Sequence, residues 1–187
     1  MGGYSQQERM ISDKRKSLER ALWNSYQGAQ VIDIGTGEIT KALINPNTVK
    51  QDYDDKVISI KFESRFKPGT VFEWYNTNSF WIVYLQDLTE LAYFKGDIRR
   101  CTYKLEWKDD DGKLQSSYAA LTGPKETGIS TSSRHGLIMD KPNYTLSLLI
   151  PENIKTAEFF KRYNKFFLKE ICWEIQAIDN ITTPGII

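Results

Sequence analysis

Residues Cys101 to Lys108 alternate without a break. Cys101, Tyr103, Leu105 and Trp107 form one set; Thr102, Lys104, Glu106 and Lys108 form the other. A period of two puts one set on a buried face and the other in water, as in a half-buried antiparallel strand. Asp109-Asp110-Asp111-Gly112 follows, and Asp-Gly suits the positive φ of a hairpin turn. The stretch from Val71 to Leu121 is organised around this piece. Val71–Trp74 reads as a strand, Tyr75–Ser79 as a tight turn, and Phe80–Leu85 as a second strand. Leu85–Asp97 reads as a crossing segment, and the alternating strand with its Asp-Gly turn opens a second hairpin ending near Leu121.

The same alternation recurs on both sides. Val31–Ile34 and Ile39–Ile44 flank the turn Gly35-Thr36-Gly37. Ile58, Ile60 and Phe62 alternate with Val57, Ser59 and Lys61 before the turn Lys67-Pro68-Gly69-Thr70. Tyr144, Leu146, Leu148 and Ile150 lead to Pro151, and Ile171, Trp173, Ile175 and Ala177 make a last strand. Short strands separated by turn residues indicate a mainly β chain, an antiparallel β-sandwich or small β-barrel. Residues Thr156 to Lys169, with Phe159, Phe160, Tyr163, Phe166 and Phe167, read as one short C-terminal helical segment.

Ser5 to Gln27 reads as an N-terminal α-helix. Ser5 and Glu8 have the spacing of a capping box, and Gly28 suits the C′ position. Its apolar stripe is thin, so the helix packs either on the body or on a partner chain. Residues 1–28 thus form a helical arm and 29–187 a β-rich domain. That domain carries a long Gly- and Ser/Thr-rich loop at 122–134 and a tail at 179–187 ending in two exposed isoleucines.

With 187 residues, 40% hydrophobic and 13% aromatic, one domain can build a core without metal or disulfide staples. Lys and Arg number 25 against 24 acids, a net charge of +1 that argues against a broad basic field for nucleic acid. Cys101 and Cys172 lie within apolar alternation and read as free, buried thiols. No apolar run spans a bilayer and no leader peptide is legible, so Asn143-Tyr144-Thr145 and Asn180-Ile181-Thr182 read as chance glycosylation matches.

Four stretches invite a chemical reading. Val31-Ile32-Asp33-Ile34-Gly35-Thr36-Gly37 has the look of a nucleotide-binding loop, but Ile39 stands where a third glycine is needed and Pro46 interrupts the required helix. A hairpin turn is favoured. His135 is the single histidine and has no nucleophile or metal-ligand pattern around it. The Asp109–Gly112 run lacks the further ligands of a calcium loop. Lys95, Arg99 and Arg100, beside Tyr93 and Phe94, are candidate DNA-facing residues, although salt bridges at a loop end are the favoured reading. No catalytic, cofactor-binding or metal-binding residue is assigned. Phe66, Tyr75, Phe80, Tyr84, Phe159 and Tyr163 exceed what one modest core can take, which points to a protein interface.

A resemblance rests on Phe66–Trp74 (FKPGTVFEW), Trp81-Ile82-Val83, Ala92–Tyr103 (AYFKGDIRRCTY) and Leu105-Glu106-Trp107. In this order they resemble a pattern in small virion proteins of tailed bacteriophages: a Gly-Asp turn before Trp, a Trp-Leu-Ile strand, and a Lys-Gly…Cys-Asn-Tyr-x-Leu-x-Trp strand. The later part, from Leu146 to Pro151 and on to the closing strand, is also similar, so the likeness spans roughly residues 57–180. Thr70 and Thr102 depart from the pattern's Asp and Asn.

The resemblance implies a virion structural protein of the head-closure or head–tail connector (neck) type, assembled in the host cytoplasm. It implies a ring-like oligomer around the DNA channel, with portal or connector and tail or neck proteins as partners. DNA would pass without sequence-specific binding, and no enzyme activity, membrane or cofactor is implied. A ring uses two unlike contact faces. The candidate interface residues are Met10, Ile11, Leu18, Leu22, Trp23, Thr127, Ser130, Arg134, Ile186 and Ile187. A capsid decoration or minor head protein and a nucleic-acid-binding β-barrel are the alternatives.

Overall fold

The computed structural model describes residues 5–48, 54–121, 147–168, 171–179 and 181–187. Its centre is a closed antiparallel barrel of six strands: β1 (Gly28–Asp33), β2 (Ile39–Pro46), β3 (Asp55–Lys61), β4 (Val71–Trp74), β5 (Ser79–Gln86) and β6 (Tyr93–Arg100). Around the barrel the order is β1-β2-β3-β6-β5-β4. Two three-strand meanders therefore meet, closed by the pairs β3–β6 and β1–β4.

Inward positions follow from the period of two. They are Ala29 and Val31, Ala42 and Ile44, Ile58 and Ile60, Phe72, Trp81 and Val83, and Phe94 and Ile98, all in one buried cluster. Val31, Ile58, Ile60, Phe72, Val83 and Ile98 have no exposed surface, and each such side chain is worth about 1.5–3 kcal/mol of burial. Phe66, delivered by the 62–70 loop, joins this cluster, its ring 5.6 Å from Phe72 and 6.4 Å from Phe94.

The segment Leu85–Asp97 is not a crossing. Gln86 ends β5, and β6 begins at Tyr93 and pairs with both β3 and β5, with an irregularity between Val83 and Leu85. Its alternation is concealed because inward Gly96 has no side chain and inward Arg100 is charged. Phe62, read with Ile58 and Ile60, lies past the end of β3 and is exposed, with Arg15 above its ring.

The helix α1 (Gln6–Asn24) has the capping box: Glu8 N donates to Ser5 Oγ, and Ser5 N donates to a Glu8 carboxylate oxygen. Ser25, not Gly28, ends it, and Gly28 is already the first residue of β1. The helix is packed on the body rather than extended from it. Leu18 and Leu22 are buried, Lys61 pairs with Glu19 at 3.0 Å, and Lys14 pairs with Glu90 at 3.0 Å. Arg15 Nε donates to Ala92 O at 3.0 Å. Lys41 Nζ sits 3.0 Å from the Trp23 ring centroid, so α1 lies across the outer face of the β1–β2–β3 meander.

A second layer covers the opposite flank. β7 (Tyr103–Lys108), β8 (Leu114–Leu121) and β9 (Leu148–Leu149) form one sheet. β10 (Lys165–Leu168) and β11 (Ile171–Glu174) form a hairpin, preceded by the short α2 (Ile154–Phe159). Leu105, Trp107, Ala119, Ile150, Phe160 and Leu168 make a separate core, with Trp107 5.1 Å from Phe159 and 5.4 Å from Phe160. The helix expected over 156–169 therefore stops at Phe159. Tyr163 takes φ +72°, its N–H donates to Ile175 O, and the chain turns back into β10, whose pairing with β11 satisfies the backbone while Leu168 is buried.

A third cluster, Val71, Ile82, Ala120 and Ile186, joins the two layers across the outer face of β4 and β5. Ile186 is 2% exposed and Ile187 half-buried, so the tail isoleucines are not free. Ile150 and Ile187 exchange two backbone hydrogen bonds of 2.9 Å, and Glu152 N donates to Gly185 O. Gly185 (φ +89°) lies against Gly69 (φ +87°). A Cβ on Gly69 would come within 2.0 Å of Gly185 O, so only glycine fits on either side. Cys101 is half-buried in the joining cluster, whereas Cys172 is exposed, its side of β11 facing away from the second core.

Candidate functional site

The barrel has one stoppered end and one open end. The open end is a cavity of about 570 Å³ lined by Lys56, Trp74, Ser79, Trp81, Arg100 and Cys101, among others. Clefts of roughly 300–1,000 Å³ are the usual size of binding sites. Lys56 shares the inward parity of Ile58, and Arg100 that of Ile98. Register pairs Lys56 with Ile98 and Arg100 with Trp81. Two cations thus stand where the strand pattern calls for apolar side chains, because the strands here run out into solvent.

The wall is fixed by a short hydrogen-bonded turn. Tyr75–Thr77 forms a single 3₁₀ turn, and Asn78 closes it at φ +48°, a conformation asparagine tolerates. Thr77 and Ser79 share a 2.6 Å hydroxyl contact, and Trp81 Nε1 donates to Ser79 Oγ at 2.8 Å. The Trp74 and Trp81 rings lie 5.9 Å apart, and Lys56 Nζ is 5.9 Å from the Trp81 centroid. Arg100 reaches Asp54 at 3.6 Å. Burial pushes the Cys101 thiol up to about 12, so it stays protonated and unreactive at neutral pH.

The basic cluster is neutralised, as the salt-bridge reading expects. Arg99 makes a bidentate pair with Asp55 at 2.8 and 2.7 Å and donates to Leu121 O at 3.2 Å, tying the barrel to β8. Lys95 pairs with Asp87 at 3.1 Å. The Asp87 carboxyl is held down to about 2, first by hydrogen bonds from Thr89 and then by Lys95. Of the candidate DNA-facing residues, only Arg100 borders the mouth.

The Val31–Gly37 motif is a hairpin turn. Asp33 accepts from Gly35 N at 2.8 Å and Thr36 Oγ1 at 2.9 Å, which occupies the carboxylate. Asp109 does the same at the β7–β8 tip, accepting from Lys113 N and Gln115 Nε2. Among the described residues, no three His, Cys, Asp or Glu side chains are grouped to hold a metal, and no helix is long and apolar enough to cross a membrane.

Of the candidate interface residues, Leu18, Leu22 and Ile186 are buried within the chain, and Ile11 and Ile187 are partly covered. Met10 and Trp23 are exposed. Thr127, Ser130, Arg134 and His135 lie outside the described residues. The aromatic excess is mostly absorbed: Phe66 is buried in the barrel core, Phe80 stacks on Tyr118 at 4.0 Å, and Phe159 stacks on Trp107 in the second core, leaving Tyr75 and Tyr163 exposed. Sequence reasoning missed the mouth. Lys56 sits two residues before Ile58, on the apolar parity of that strand, and this was the available signal.

No protein-family model matches this chain, and no curated protein or solved structure matches it.

Proposed function

We propose that this chain is a structural subunit of a tailed-phage virion, of the head-closure or connector type, working by ring-like assembly around the DNA channel. One observation carries the reading beyond the sequence resemblance. Exposed apolar side chains lie on two opposite flanks of the barrel, in addition to those around its closed end. On the α1 flank they are Met10, Trp23 and Tyr26; on the second layer they are Leu114, Ile154, Tyr163 and Ile181. The helix spans the β1–β2–β3 side and the second layer covers β4 and β5, and in the order β1-β2-β3-β6-β5-β4 strands β2 and β5 face each other across the barrel. A cyclic assembly requires such a pair of unlike faces on each subunit. The closed barrel has no free strand edge of its own, which leaves side-chain surfaces and the second layer to make contacts.

The test is immunogold electron microscopy with an antibody to the full chain, on phage particles from the strain that encodes it. Label at the head–tail junction supports the reading. Label spread over the capsid replaces it with the decoration alternative, and unlabelled particles sink both.

A further inference from the structure

We infer that the open mouth of the barrel receives the β7–β8 hairpin tip of a second copy of this chain, a contact that rests on the assembly reading above. The mouth presents two cations, Lys56 and Arg100, with Asp54 at its rim. The tip presents the inverse pattern: the exposed carboxylates Asp110 and Asp111 between Lys108 and Lys113. Leu114, 67% exposed beside the tip, supplies an apolar group for the wall formed by Phe80 and Trp74. Matched patterns of this kind fix register and partner choice.

The tip cannot fill its own mouth. Cys101 and Thr102 line the cavity, and β7 then carries the chain away for six residues, roughly 20 Å at about 3.3 Å per residue. The return strand β8 is held to the barrel by Ala120 and by the Arg99 contact to Leu121. Mouth and tip are therefore two distant points on one rigid body, and their union is head-to-tail, the kind of contact that closes rings.

A nucleic-acid strand fits the mouth less well. Stacking needs an open ring face, and Trp81 is 3% exposed. Phosphate binding gains from many cations along a track, and the lining supplies two, Lys56 and Arg100.

The experiment measures the mass of the full chain by light scattering over a concentration series. It compares the natural sequence, the mouth variant Lys56→Glu/Arg100→Glu, the tip variant Asp110→Lys/Asp111→Lys, and the four-residue combination. Each reversal turns two attractions into repulsions, so either should weaken association about a hundredfold or more. The combination should restore it to within about tenfold. The tip variant alters only exposed turn residues, so its result stands even if the mouth variant unfolds. Association unchanged by the reversals, no recovery in the combination, or a natural chain that stays monomeric at millimolar concentration overturns the contact. So does a short oligothymidylate that quenches tryptophan emission of the natural chain but not of the mouth variant while leaving the mass unchanged. None of these outcomes alters where the antibody labels the particle, so the contact and the virion reading fail separately.

Discussion

The two ends of the barrel are alike in topology and unlike in chemistry. Exchanging β1 with β4, β2 with β5 and β3 with β6 leaves the strand order unchanged, and this exchange swaps the two ends. Backbone connectivity gives no reason for one end to be open. The difference lies in a few inward side chains. At the closed end Ile60 pairs with Phe94 and Phe66 drops between them and Phe72. At the mouth the inward positions are Lys56 and Arg100, and the nearest wall is a 3₁₀ turn that contributes hydroxyls rather than a plug. The rims differ as well. Ile34, Ile39, Leu85, Leu88 and Leu91 are exposed around the closed end. A closed topology therefore makes a symmetric container, and residue choice at the strand ends decides which end is a lid.

The largest way to break this contrast is to remove the lid. Phe66→Ala should cost about 3–5 kcal/mol in urea denaturation, as for other buried phenylalanines. A loss under about 1 kcal/mol would mean that the closed end is not held shut by this ring. Arg99→Met attacks the other end from outside. It strands the Asp55 carboxylate, 2% exposed, and should cost about 3 kcal/mol or more, with much of that recovered in Asp55→Leu/Arg99→Met. No recovery in the double variant would show that Arg99 acts chiefly through Leu121.

A smaller effect is expected in acid. Asp87, near the closed end, has its folded pKa lowered from 3.8 to about 2. The stability it contributes is complete above the unfolded value and lost as pH falls through the folded one. The gap between the natural chain and Asp87→Asn should thus be widest at neutral pH and vanish toward pH 2; a constant gap would contradict this assignment. The smallest change is at the mouth. Lys56→Met should alter stability by no more than about 0.5 kcal/mol, since this lysine is incompletely buried and its ammonium has no carboxylate partner among the described residues. A loss of several kcal/mol would place Lys56 in the core and remove the open end.

Much of this was legible locally. The Cys101–Lys108 alternation and its Asp-Gly turn became β7 and the β7–β8 hairpin, and Ser5 with Glu8 marked the start of α1. These signals depend on neighbours in sequence. β6 was hidden because its inward positions include glycine and arginine, and β10 because Phe166 and Phe167 continue an aromatic spacing that also suits a helix. Burial of Ile186 was not legible at all. It depends on Val71, Ile82 and Ala120, residues that only the closed barrel and the second layer bring together. The mouth falls between these cases, its parity readable at Lys56 but its partner Arg100 placed only by register.

The contact between Gly69 and Gly185 has a mechanical consequence. The described chain passes directly from barrel to second layer at one place, between Arg100 and Tyr103. A single passage of this kind would act as a swivel. The Arg99–Leu121 hydrogen bond and the Phe80–Tyr118 stack hold the layer near that passage. The tail attaches it away from there, with Gly185 against the 67–70 turn, Ile186 in the joining cluster, and paired hydrogen bonds between Ile150 and Ile187. Two separated anchor points convert a swivel into a bracket, so a pull on the β7–β8 tip is transmitted to the barrel as torque instead of being dissipated by rotation of the layer.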